Sequence, residues 1–114
     1  MSNLSKKKCT PCKGGVPPLE EKEINQYLSK LNAWQVVGLH HLSKIFSFPD
    51  FKSALAFVNQ IGEIAEEENH HPIINFTWGK VEISIWTHKI NGLHENDFIL
   101  ASKIDTIINQ NTQE

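Results

Sequence analysis

No run of apolar residues in this chain approaches the eighteen or more that a membrane-spanning helix needs, so no membrane-spanning role is expected. The lysines of MSNLSKKKCTPCKGG are followed by Gly14, Gly15, Pro17 and Pro18 rather than by an apolar stretch, which is not the layout of a secretory signal. Basic excess is missing too. Eleven Lys and Arg against thirteen Asp and Glu leave a net charge of −2, unlike the electrostatic footprint of a nucleic-acid binder. Cysteine is scarce: Cys9 and Cys12 form a CxxC pair, and two thiols alone cannot complete a four-ligand zinc site. The pair lies in a Lys-, Pro- and Gly-rich tract instead of opening a helix, as a redox CxxC does, so any metal or redox use needs ligands from elsewhere, such as a second subunit. No internal repeat of fixed period is present. A soluble, cytoplasmic protein that binds neither nucleic acid nor membrane is the expectation.

What is present fits one small domain: 114 residues, 39% hydrophobic and 21% charged, enough for a single core. Residues 1–18 read as a flexible leader carrying the CxxC, 19–110 as the domain and 111–114 as a tail. Leu19 to Leu31 is expected to be a helix with acids in its first turn and Ile24, Tyr27, Leu28 and Leu31 on one face. Trp34 to Leu39 and Leu42 to Phe48 read as strands, the second alternating Leu42, Lys44, Phe46 against Ser43, Ile45, Ser47, with His40 and His41 near the turn between them as exposed turn residues. Asp50 caps a second helix whose apolar positions Phe51, Ala54, Leu55, Val58, Ile61 and Ala65 follow three-and-four spacing. Ile73 to Trp78 and Val81 to Thr87 read as a hairpin joined by Gly79 and Lys80 in a type II′ turn. Glu95 to Ile108 closes the chain as a helix. The order α-β-β-α-β-β-α implies an α+β fold, a four-stranded antiparallel sheet with three helices packed on one face. Its open face or edge is available for pairing with another chain.

The six histidines are the compositional excess. His70 and His71 follow directly on the second helix, where the dipole favours imidazolium, and Glu66 lies one turn before His70. Pro72 ends the helix and biases His71 to an extended backbone, so the two imidazoles diverge and can divide their roles between positioning and proton transfer. His88 ends a strand on its more polar face. Histidine suits proton transfer because both of its forms are available near neutrality. Three histidines also invite a catalytic zinc reading, but HH adjacency is not the one-face spacing of HExxH. Trp78 and Trp86 read first as sheet packing, with stacking on a flat heterocycle as the functional alternative. Asp97 reads either as a helix-start acid or as the orienting partner of a histidine.

An acid, three residues, HHP, then an aromatic, a histidine and an aspartate at set intervals is a pattern that resembles the pterin-4a-carbinolamine dehydratases. Here it is met by Glu66, His70, His71, Pro72, Trp78, His88 and Asp97. The likeness extends through FSFPDFKSALAFV, VEISIWTH and GLHENDFILASKID, over roughly 19–108. The resemblance implies the fold derived above, assembly as a homodimer or homotetramer, and removal of water from 4a-hydroxytetrahydrobiopterin to give quinonoid dihydropterin. That reaction recycles the tetrahydrobiopterin used by aromatic amino-acid hydroxylases and needs no metal or organic cofactor. By the same resemblance, His70 and His88 move protons at the hydroxyl, His71 binds and orients the ring, Glu66 and Asp97 hold histidines, and Trp78 walls the pocket. His94 stands where the family commonly has Ser or Thr, which removes the hydroxyl cap from the last helix. Asn69 stands where some relatives carry an acid. Glu67 and Glu68 read as solvated surface. The competing readings are a dehydratase-like protein of another pterin pathway, such as molybdenum-cofactor metabolism, a dimerisation or binding module, and a metal-dependent hydrolase.

Overall fold

The computed structural model describes residues 4–9 and 16–111, so Cys12 lies outside the described residues. Three helices, α1 (Glu21–Leu28), α2 (Phe51–Glu68) and α3 (Glu95–Asn111), alternate with strands β1 (Gln35–Val37), β2 (His41–Ser47), β3 (Ile73–Thr77) and β4 (Lys80–Ile85). Short 3-10 turns occupy Leu4–Lys6 and His88–Ile90. The strands pair antiparallel in the order β1-β2-β4-β3, which is the expected α+β fold.

Side-chain alternation decides how this sheet packs. The register sets Leu42 opposite Ile85, Lys44 opposite Ile83 and Phe46 opposite Val81, so these residues share one face. All of them except Lys44 are buried, together with Ala54, Phe57, Ile61 and Ala65 of α2 and Phe98, Leu100, Ala101, Ile104 and Ile107 of α3. Full burial of a Phe or Ile side chain contributes about 1.5–3 kcal/mol, so this one interface supplies most of the fold's apolar stabilisation. Lys44, the polar interruption in that stripe, reaches Asp105 of α3 at 2.9 Å, and the Trp34 indole N–H donates to the same carboxylate at 3.0 Å. Burial raises the Asp105 pKa, while the Lys44 ammonium and the Trp34 N–H oppose that shift.

Helix α2 determines the geometry of everything after it. Asp50 Oδ1 accepts the Ser53 N–H at 2.7 Å and starts it. Asn69 ends it in the left-handed region at φ 52, a conformation Asn tolerates better than other non-glycine residues. The His70 N–H then bonds the Ala65 carbonyl and the Asn69 N–H the Glu66 carbonyl, the paired closure of a Schellman motif.

Five local expectations change. The β3–β4 connection is Trp78–Gly79, not Gly79–Lys80, because Thr77 pairs with Lys80. Gly79 does not adopt a left-handed φ there. It is needed for space, since a Cβ would lie 2.8 Å from the Phe48 carbonyl oxygen. Strand β4 stops at Ile85, and Thr87 leaves the ladder to bridge Gly92 instead. Helix α3 runs on to Asn111, into the expected tail, whereas α1 is shorter than its periodicity suggested. The leader differs most. Leu4 is 2% exposed within the core cluster, and the turn it begins packs on α3. Lys103 Nζ donates to the Ser5 carbonyl at 2.9 Å, and Lys7 pairs with Glu95 at 2.7 Å. Residues 4–9 are therefore docked, held by one apolar anchor and two cation contacts too sparse to register as periodicity.

Candidate active site

The C-terminal end of α2, the N-terminal end of α3 and the segment just after β4 converge on one cavity of about 650 Å³. His70 and His71 enter from the α2 corner, Trp86, Thr87 and His88 from the end of β4, Asn96 from α3 and Cys9 from the leader. The site is thus assembled from four separate stretches of chain.

Each histidine has a different partner. His70, with its side chain 13% exposed, brings Nε2 to 2.6 Å from Oδ1 of Asp97, which is fully buried. Asp97 is held through both oxygens: its Oδ2 also accepts the Thr87 hydroxyl at 2.9 Å and the His94 N–H at 2.8 Å. A carboxylate only accepts, so the His70 proton sits on Nε2 and leaves Nδ1 as the ring's other functional atom. His71 Nε2 lies 2.6 Å from Glu66 Oε2, with both side chains exposed. His88 is exposed, lies stacked on Trp86 with ring centroids 4.4 Å apart and planes at 23°, and has no hydrogen-bond partner for its ring nitrogens among the described residues.

The sequence interval suggested that Glu66 would meet His70. It meets His71 instead, because the left-handed Asn69 breaks the helical register before His70 is reached. The carboxylate for His70 comes from α3, twenty-seven residues away. Pro72 is half-buried directly after the histidine pair, where the chain turns into β3. Trp78 does not line this cavity. It lies in the β3–β4 turn, at the far end of the hairpin from His71 and His88, and is 65% exposed. The aromatic against the histidines is Trp86, two residues before His88, which read first as packing.

Two further readings are corrected. Glu68 is not solvated surface: its side chain is 6% exposed, its Oε1 accepts the Cys9 N–H at 2.8 Å, and Lys103 lies 3.6 Å away. The Cys9 thiol is half-buried against the Asn96 carbonyl at 3.6 Å, and burial followed by the Glu68 carboxylate pushes its pKa up to about 12. The start of α3 keeps a cap despite losing the hydroxyl. His94 Nδ1 accepts the Asn96 N–H at 3.1 Å while Asp97 takes the His94 N–H, so an imidazole fills the hydroxyl's place in the reciprocal box. Among the described residues no group of three His, Cys, Asp or Glu is arranged to hold a metal ion. None of the described helices is long and apolar enough to cross a membrane.

The model of the family described as pterin 4 alpha carbinolamine dehydratase matches residues 17–107. The chain belongs to that family. A Rickettsia canadensis relative whose name assigns it to the pterin-4-alpha-carbinolamine dehydratases is 60% identical over 109 residues, covering 95% of this chain and all of its own. A similarly named relative from Rubrobacter xylanophilus is 53% identical over 94% of this chain and all of its own. Among solved structures, a transcriptional coactivator/pterin dehydratase from Brucella melitensis is similar with a TM-score of 0.75 and 35% identity, over 79% of this chain and 97% of that one. A pterin dehydratase-like protein described as a RuBisCO assembly factor in the alpha-carboxysome is similar with a TM-score of 0.58 and 26% identity, over 67% and 89% respectively. Membership makes this chain one of a family of hydro-lyases.

Proposed function

We propose that the protein dehydrates 4a-hydroxytetrahydropterins to quinonoid dihydropterins by histidine general acid and base catalysis, within tetrahydrobiopterin recycling. The observation that supports this most is the assembly of three imidazoles with unlike partners around one cavity. Loss of the 4a-hydroxyl needs a proton delivered to the departing oxygen and another removed from N5 of the ring, so two proton-transfer groups of differing character are required. His70, oriented through Nε2 by buried Asp97, presents Nδ1 as one such group. His88, with both ring nitrogens free of protein partners among the described residues, is the other. His71, tied to Glu66 in the open, binds and orients the pterin. Trp86 offers a flat apolar wall to the heterocycle.

The test is the decay of enzymatically generated 4a-hydroxytetrahydropterin with purified protein, with and without a chelator. Acceleration that the chelator leaves unchanged is expected; decay at the spontaneous rate would sink the proposal, and chelator-sensitive activity would replace it with a metal mechanism. Replacement of His70 or His88 by Ala should lower turnover on the order of a hundredfold, the usual scale for acid and base groups. A role confined to binding would leave the ordered Asp97–His70 pair without a task. Self-association as a homodimer or homotetramer is part of the proposal, favoured by the edge position of β3, by exposed Ile73 and Phe76 on that strand, and by exposed Phe51 and Leu55 on α2. Light scattering at micromolar concentration should read a mass at least twice 13.0 kDa.

A further inference from the structure

His40 and His41 look like turn residues in the sequence, yet the structure ties them to the segment that carries His88. His40 sits just after Gly38 and Leu39, both in the left-handed region at φ 58 and 55, and its N–H closes the turn onto the Val37 carbonyl at 2.9 Å. Left-handed backbone is unfavourable for Leu by roughly 1–2 kcal/mol, so the chain holds His40 in position at a local cost. His40 Nε2 lies 2.9 Å from Asn91 Oδ1, and its Nδ1 lies 3.1 Å from His41 Nδ1. Since Asn91 Oδ1 only accepts, His40 donates through Nε2 and its Nδ1 receives the proton of His41 Nδ1. Burial, and then the neighbouring His40, lower the pKa of His41, in keeping with a neutral donor.

Asn91 completes the connection. Its backbone N–H donates to the His88 carbonyl at 3.2 Å, its φ is 50, and it closes the turn His88–Ile90. One residue thus links the His40 ring to the backbone of His88. The side chains meet as well: Trp86 contacts the His40 ring at 5.1 Å, the His41 ring at 5.7 Å and the His88 ring at 4.4 Å. The ring nitrogens of His88 have no hydrogen-bond partner among the described residues, so these contacts are what orients the ring.

We propose that His40, His41, Trp86 and Asn91 form a positioning set that fixes the ring of His88 for proton transfer, a role that rests on the dehydratase reading of the site. These residues act through His88 and take no proton from the substrate themselves. A ring misplaced by about 1 Å costs on the order of a hundredfold in rate, which bounds what their loss can do.

The experiment is a double-mutant cycle on His40→Ala and Asn91→Gly, glycine being chosen because it keeps the left-handed backbone. Each single variant should lower kcat about tenfold with KM within about twofold, and the double variant should be no worse than either single one. His40→Gln, which still offers an N–H to Asn91, should recover most of the loss. A second readout needs no substrate. Stacking on Trp86 shifts the His88 ring protons upfield in NMR spectra, and both single variants should move them toward the positions seen in Trp86→Leu. Unchanged His88 shifts in both variants would overturn the positioning role whatever the activity. Additive kcat losses would overturn the coupling through Asn91. Wild-type protein without dehydratase activity but with coupled His88 shifts would reject the reaction and leave the positioning intact.

Discussion

Substituting Asn for Asp97 tests the heart of the site, because it keeps the shape and changes one atom's hydrogen-bonding sense. Asp97 receives three donors: His70 Nε2 at 2.6 Å, the His94 N–H at 2.8 Å and the Thr87 hydroxyl at 2.9 Å. An Asn oxygen can keep the last two on one acceptor, as Oδ2 does now. Its amide then faces His70 Nε2 as a donor, so the imidazole must move its proton to Nδ1 and present the wrong tautomer to the cavity. The stability loss is small by comparison: weakening one charge-assisted bond and removing a carboxylate from the start of α3 costs about 1–2 kcal/mol in all. Asp97→Ala instead strands three donors at a buried position and should cost about 3–5 kcal/mol. The activity loss for Asp97→Asn should be on the order of 10²–10⁴-fold, the scale seen when an orienting carboxylate is neutralised and the tautomer inverted, or about 3–5 kcal/mol of transition-state stabilisation. Urea titration, kcat on 4a-hydroxytetrahydropterin and ¹⁵N chemical shifts of His70 together decide the matter. A folded Asp97→Asn protein with its His70 proton on Nδ1 and full turnover would refute the assignment of His70 to proton transfer.

Two further outcomes follow from the local geometry. His94→Ala removes the imidazole cap of α3 and should lower stability by about 1 kcal/mol, whereas His94→Ser restores a conventional cap and should stay within about 0.5 kcal/mol of wild type in the same titration. Cys9 titrates in the folded protein at about 12 against a reference of 9.0. The thiol is therefore neutral in both states below that reference; above it the unfolded chain sheds the proton first, and stability is lost as pH rises between the two values. Melting temperatures of wild type and Cys9→Ala should keep a constant difference up to about pH 8.5, and wild type should fall relative to the variant by about pH 10.5. A constant difference throughout would place the thiol in solvent, detached from Glu68.

The fold was legible because its signals are periodic. Alternation in β2 and β4 and the three-and-four spacing of α2 name the buried face directly, and Lys44, the one exception in the stripe, finds Asp105. Hairpin register was misread by one residue because Gly79 looked like a turn former, whereas it serves the close approach of the Phe48 carbonyl. The histidines were visible as a cluster, with Glu66 and Asp97 as candidate carboxylates, but which carboxylate serves which histidine was not. A helical interval predicts Glu66 with His70 only if the helix continues, and a single left-handed residue, Asn69, was enough to pass that carboxylate to His71. The docked leader was hidden for a different reason: one leucine in the core and backbone groups bonded to Lys103 and Glu68 leave no pattern in composition. Trp86 read first as sheet packing, and His40 and His41 as exposed turn residues. Only the sheet pairing, which lays β2 beside β4, brings His40 and His41 against Trp86, which itself stacks on His88.

The division of carboxylates gives the two adjacent histidines unequal rigidity, and that inequality fits the separate tasks proposed for them. A charge pair about 4 Å apart interacts by about 1 kcal/mol in water but by about 4 kcal/mol at the effective dielectric of a protein boundary. Glu66 and His71 are both exposed, so their contact is weak and easily exchanged for water or for a ligand. Asp97 is fully buried, and two other donors hold its oxygens in place, so the His70 ring meets a fixed acceptor with no solvent to compete for it. Proton transfer depends on the geometry of one nitrogen to within tenths of an ångström, whereas binding a flat ring tolerates adjustment. The same HH dipeptide therefore supplies one immobile imidazole and one adaptable one. What separates them is the left-handed turn at Asn69 and the proline that follows, which send neighbouring side chains to different carboxylates on different helices.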